Sequence, residues 1–249
     1  MSLSLYILAG LFLPLFPLSM VFNQMLVRLR RSWLRALLIL LWPQIGVLII
    51  SQAGAPVPDW FVTWALLSAT LYAYRALTLH EVGLWTGFVA TSAWALLWVG
   101  TTQQDQLPLQ ALGLSLPLAL MSLLTASLES RMGAAHTSLG GGLGASAPRL
   151  AALFVISVLA VVATPIFPGF FTLLATVVGQ AATSPISALV LVLVWLLWTW
   201  SGARLLHGIV VGPPREAAVE DMTTMASWGY AAGFIVLALV GIKLGGLLL

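Results

Sequence analysis

VVATPIFPGFFTLLATVV, residues 161–178, places Pro165, Pro168 and Gly169 inside a strongly apolar run. In a helix interior each proline removes a backbone hydrogen bond and strikes the preceding turn, at a cost of roughly 3 kcal/mol. Hydrocarbon offers no replacement partner. A membrane helix is therefore interrupted only where the freed backbone groups face protein or water. The stretch reads as a broken helix, the device by which transporters present helix ends to ions or polar substrates. A proline kink that serves packing alone is the plainer alternative.

The composition around this stretch fixes the solvent. Of 249 residues, 61% are hydrophobic and 7% charged, with a mean hydropathy of +1.06. A soluble domain carries about 25% charged residues, so too few charges exist here to cover a water-facing surface. The chain is expected to be an all-α polytopic membrane protein. It has no cysteine, which excludes disulfides and thiolate metal sites. The net charge of +3 calls for no nucleic-acid partner. The N-terminal run lacks the basic leader of a signal peptide and is expected to be a retained helix.

A spanning helix needs about 20 mostly apolar residues. Eight stretches qualify, at about 3–22, 34–53, 60–78, 83–101, 108–128, 150–179, 184–210 and 228–248. If 150–179 is one interrupted crossing, Arg28, Arg30, Arg31, Arg35, Arg75, Arg131, Arg149, Arg204 and Arg215 all fall in or beside loops of one side. Asp59 and Asp105 fall on the other. By the positive-inside rule the arginine side is cytoplasmic and both termini lie outside. The expected location is a bacterial-type inner membrane. Trp33, Trp60, Trp85 and Trp228 are expected at headgroup level, and Trp195, Trp198 and Trp200 against neighbours or lipid.

The ionisable residues offer few sites. Arg75, His80 and Glu81 stand together at one helix end, either as a place where protons or anions enter or as topology plus a local ion pair. Glu129 and Arg131 read as a solvated helix end, and His136 as an exposed loop residue. Arg204 and His207 lie one turn apart and share a helix face. Lys243 is the sole lysine and reads as an interfacial anchor. GGGLGA, 140–145, follows no strand and reads as a connector rather than a phosphate loop. No catalytic residue, metal site or cofactor is expected.

Five motifs share an order and spacing. They are Gly-Gly-Leu at 141–143, Pro-Arg-Leu-Ala-Ala-Leu-Phe at 148–154 and Pro-x-x-Pro-Gly-Phe-Phe at 165–171, then Arg-Leu-Leu-His at 204–207 and Gly-Pro-Pro-Arg-Glu at 212–216. This set resembles the antiporter-like membrane subunits of complex I, of multi-subunit cation/proton antiporters and of inorganic-carbon accumulation complexes. The resemblance covers residues 108–249; residues 1–107 match only as hydrophobic helices and form a divergent N-terminal part of one transmembrane domain. It implies two inverted five-helix repeats, each with a broken helix, of which this chain resembles the C-terminal portion. It also implies a buried proton-carrying lysine, histidine or glutamate at two positions, which here are Leu114 and Leu173.

The expected function is an accessory or scaffolding subunit of an ion-coupled complex, either complex I-like or for inorganic-carbon uptake. It would lack a complete proton path of its own. Its expected partners are other membrane subunits, lipid and a peripheral soluble subunit. The alternatives are an autonomous small transporter that binds an anion through Arg75 and Arg204, and a membrane anchor for a peripheral enzyme.

Overall fold

The computed structural model describes residues 2–53, 56–101, 104–137, 141–213 and 220–248; Arg215 lies outside them. The described residues form α1 (Ser2–Phe12), α2 (Met20–Arg28), α3 (Ser32–Ser51), α4 (Asp59–Ala76), α5 (Val82–Ala95), α6 (Leu107–Met132), α7 (Leu143–Ser146), α8 (Pro148–Val161), α9 (Pro168–Thr183), α10 (Pro185–Val210) and α11 (Thr224–Leu248). A 3-10 segment, Leu96–Gly100, extends α5. The all-α polytopic architecture expected from the composition is the one observed. Five helices are each long and apolar enough to cross a membrane: Ser32–Ser51, Val82–Gly100, Leu107–Met132, Pro185–Val210 and Thr224–Leu248.

The bundle is arranged around α5. Its sequence, VGLWTGFVATSAWA, alternates small residues with tryptophan. Small side chains let neighbouring backbones approach, which is the main source of helix association where lipid competes equally for apolar surface. Trp85, Trp94 and Trp98 are fully buried there. The headgroup position expected for Trp85 is therefore corrected: its indole N–H donates to the Ser201 hydroxyl on α10 at 3.0 Å. Trp33, Trp60 and Trp228 are exposed near helix ends, as expected. Around α5 stand α4, α6 and α10, with α3 on α6 and α11 on α9.

The expected break is present, with sharper bounds. α8 ends at Val161 and α9 starts at Pro168, so residues 162–167 form the interruption. Pro165 lies within it, whereas Pro168 and Gly169 belong to the first turn of α9. At that position proline loses no hydrogen bond and its fixed φ suits the helix. A second interruption was not expected. The run at 3–22 is not one helix: α1 and α2 are separated by residues 13–19, which contain a cis Phe16–Pro17 bond. Counting α1–α2 and α8–α9 as one crossing each, the described residues make eight crossings, two of them interrupted.

The charged helix ends meet at one end of the bundle. Arg35, at the start of α3, donates its Nε to the Leu29 carbonyl at 2.6 Å and lies 3.5 Å from Glu129 at the end of α6. The segment before α11 is clasped to α8. Asp221 accepts hydrogen bonds from the backbone N–H of Arg149 and Leu150, each at 3.1 Å, and the Arg149 guanidinium donates to the Met222 carbonyl. A carboxylate on the free N–H groups of a helix start is favoured by the helix dipole as well.

Burial alone would push the Asp221 carboxyl up. The N–H donors of Leu150, Arg149 and Met222, with the Arg149 charge, outweigh it and hold the carboxyl below its ordinary range. A folded-state value below the unfolded one gives stability that is complete at neutral pH and is lost as pH falls through the lowered value. Asp221→Ala is therefore expected to destabilise by about 1 kcal/mol at pH 7. The difference from wild type should vanish in strong acid, as read by thermal unfolding in detergent across pH.

Candidate functional site

The two interruptions are the chemically unusual parts of the fold, and each is built from the backbone outward. At the end of α8, Ala163 takes a left-handed conformation, φ 57°. The N–H of Thr164 then reaches the Leu159 carbonyl at 3.1 Å, and that of Ala163 the Ala160 carbonyl at 3.3 Å. This is the αL termination that satisfies the last carbonyls of a helix. One carbonyl remains, that of Val162, and the Trp195 indole N–H on α10 donates to it at 3.0 Å.

The first interruption uses the same solution three times. The indole N–H groups of Trp42, Trp98 and Trp64 donate to the carbonyls of Leu11, Leu13 and Phe16 at 3.2, 2.9 and 2.7 Å. The Phe16 N–H, in turn, finds the buried Ser68 hydroxyl at 3.0 Å. Indole carries one donor and no acceptor on a large apolar body. It therefore satisfies a lone carbonyl without bringing in a second polar group that needs a partner.

A glycine seats each interruption. A Cβ on Gly241 of α11 would lie 2.1 Å from the Ile166 carbonyl oxygen, and one on Gly46 of α3 would lie 2.7 Å from the Leu13 side chain. No larger residue fits at Gly241 without moving backbone.

Between the interruptions the interior is polar but uncharged. Among the described residues, the buried polar side chains are Ser, Thr and Gln110. The interior hydroxyls are engaged by further indoles, Trp94 to Ser115 at 2.9 Å and Trp198 to Ser92 at 3.0 Å. Leu114 and Leu173 are 6% and 2% exposed, packed in the same core. Two cavities approach this interior. One, about 80 Å³, opens at the charged end beside Asn23, Arg35, Glu81, Thr86, Ser122 and Thr125. The other, about 700 Å³, lies at the opposite end beside Asp59, Thr101, Gln110, Thr176 and Gln180. Neither is joined to the other by a titratable side chain among the described residues.

The remaining sequence-predicted residues are divided between sites. His80, Arg204 and His207 share one cavity with Thr137, and the His136 ring stacks on that of His80 with centroids 5.9 Å apart. His136 is thus part of this cluster rather than a simple exposed loop residue. Glu81, next to His80 in sequence, lines the other cavity with Arg35. Arg75 lines neither. Lys243 is exposed on α11. Sequence reading missed the first interruption, although a signal was present: Pro-x-Phe-Pro occurs at 14–17 and again at 165–168. The indole caps had no local signal, because donor and carbonyl lie far apart in the chain.

These features can be set beside known proteins. No family model matches the sequence. An uncharacterized protein of Aquifex aeolicus (strain VF5) is 24% identical over 222 residues, covering 87% of this chain and 90% of that protein. A chain of respiratory complex I from Thermus thermophilus superposes with a TM-score of 0.83 at 23% identity, covering 97% of this chain and 54% of its own length. A chain of the Mrp complex from Dietzia sp. gives a TM-score of 0.78 at 16% identity, covering 98% of this chain and 56% of that one. A chain of an archaeal membrane-bound sulfane sulfur reductase gives 0.77 at 13% identity, covering 94% of this chain and 51% of that one. The fold is that of these membrane subunits, and this chain spans about half the length of each.

The caps lead to a stability test. Trp98→Phe and Trp195→Phe each keep an aromatic body but leave a buried carbonyl without its donor. Each is expected to destabilise by about 1–3 kcal/mol. Trp200→Phe, on an exposed face, should stay within about 0.5 kcal/mol of wild type. Thermal unfolding of the three variants in one detergent reads the difference.

Proposed function

From the fold of antiporter-like membrane subunits, we propose that this chain is an accessory subunit of an ion-coupled membrane complex and that it carries no complete proton path. One observation supports the reading above others: among the described residues, no charged side chain is buried in the bundle interior. A buried lysine, histidine or carboxylate in hydrocarbon is costly and is kept where it moves protons. Leu114 and Leu173 occupy that interior instead, and the hydroxyls around them are held by indoles.

The partners of such a subunit are other membrane chains. The likeness to subunits of complex I and of the Mrp complex favours a host of that kind, and inorganic-carbon uptake draws no separate support from it. The proposed placement is an inner membrane with the arginine-rich end in the cytoplasm and both termini outside. A reporter fused at Ala135 is expected to read cytoplasmic and fusions at the two termini external; an external reading at Ala135 would reverse the orientation.

The proton-path reading is tested in liposomes. The chain reconstituted alone should leave an imposed pH gradient to decay as in empty vesicles. It should also co-purify with membrane partners from its native source in mild detergent. Proton flux above that of empty vesicles, abolished by His207→Ala, would defeat the accessory reading.

A further inference from the structure

The chain has three histidines in 249 residues, at positions distant in sequence, and the fold gathers them at one helix end. His80 lies in the turn between α4 and α5, His136 in the connector after α6, and His207 in the last turn of α10. The gathering is fixed by backbone. The Thr137 N–H donates to the His80 carbonyl at 2.9 Å, and the Val82 N–H to the Ala135 carbonyl at 2.9 Å. α10 is pressed onto this connector at Gly208, where a Cβ would lie 2.9 Å from the Thr137 side chain. The resulting cavity is lined by His80, Thr137, Arg204 and His207 with the small Gly208. Its polar groups are a guanidinium, two imidazoles and a hydroxyl. No carboxylate lines it among the described residues, and the nearest acid in sequence, Glu81, faces the separate cavity beside Arg35.

A second feature runs into this cavity along α10. Leu189, Leu193, Leu196, Trp200, Arg204 and His207 follow at intervals of four, three, four, four and three residues, which is one face of a helix. That face is open: Leu189 is 70%, Leu196 62% and Trp200 66% exposed. From Leu189 to Trp200 the helix rises roughly 16 Å, close to the ~15 Å depth of one leaflet of hydrocarbon. Trp200 stands at the top of the apolar stripe, where indole prefers the headgroup level, with Arg204 and His207 one and two turns beyond it. An acyl-length apolar track, an interfacial aromatic and a basic, acid-free cavity thus follow one another in the order in which a phospholipid presents its chain, glycerol and phosphate.

We propose that the cavity of His80, Thr137, Arg204 and His207 holds the phosphate of an anionic phospholipid whose acyl chain lies along the leucine stripe of α10. Arg204 supplies the permanent charge and paired donors that suit phosphate oxygens. Thr137 offers a hydroxyl donor, and the imidazoles supply the remaining N–H groups. Basic cavities between helices on the cytoplasmic side of a membrane are the places where acidic headgroups are held. The proposal is independent of whether the chain conducts protons.

The test uses the full chain purified in mild detergent and examined by native mass spectrometry. Phosphatidylglycerol, phosphatidylcholine and inorganic phosphate are added separately at equal concentration. Phosphatidylglycerol is expected to be retained in preference to phosphatidylcholine. Arg204→Gln with His207→Gln should lower its occupancy at least about fivefold, the worth of roughly one surface arginine charge. Arg204→Lys should recover most of the occupancy. Both changed side chains are exposed, and unchanged thermal unfolding of the lipid-free variants confirms that the fold is kept. Retention of inorganic phosphate that is lost in the double variant supports the anion chemistry and assigns the source to a free phosphate. Equal retention of the two lipids by wild type with no retained phosphate, or phosphatidylglycerol occupancy unchanged by the double substitution, overturns the proposal.

Discussion

A carbonyl freed from a helix inside apolar surroundings must find a donor, and this fold depends on how that requirement is met at two places. Water is the usual partner at a helix end, and none is assured deep in a bilayer. Here the donors at Leu11, Leu13, Phe16 and Val162 are indoles from α3, α5, α4 and α10. Each such bond ties an interruption to a different neighbouring helix. The breaks are therefore anchoring points that fix how the helices sit around α5, and they are not weak places in the bundle. The glycines at 46 and 241 complete this by letting whole helices rest on the exposed backbone.

The same arrangement bears on what the interior can carry. A relay of protons needs groups that gain and lose a proton at modest cost, and hydroxyls do so poorly. Thr86, Thr91 and Thr125 donate to carbonyls one turn back in their own helices. Ser92 and Ser115 accept from tryptophans. These bonds are short-range and specific, so the interior behaves as a hydrogen-bonded scaffold. The polar cavities at the two ends stop short of each other, with leucine packed between.

Much of this was legible in the sequence, for identifiable reasons. The shortage of charge fixed the membrane class, because no soluble surface can be covered at 7% charged residues. The second break was legible because two prolines and a glycine interrupt a run too long for one straight helix. The first break escaped because 3–22 has the length and apolarity of a single crossing; Pro14 and Pro17 were present but were outweighed by length. Trp85 was misplaced because distance from a helix end says nothing about depth when neighbouring helices overshoot it. The cluster of His80, His136 and His207 was invisible, since it depends on a backbone bridge between residues 81 and 136.

The central helix has a consequence for how the protein is made. The span Val82–Gly100 is 83% buried and has a mean hydropathy of 1.5, the lowest of the five long spans. During synthesis it leaves the translocon before α6, α8, α9 and α10 exist to cover it, so its Ser, Thr and Trp polar groups first meet lipid bare. Its partners on one side, α1 to α4, are already in place, and they supply the Ala69 carbonyl that Ser92 uses and the Leu13 carbonyl that Trp98 uses. The N-terminal four helices thus act as an intramolecular chaperone for the fifth. Order of synthesis, and not only final packing, sets which end of this chain tolerates truncation.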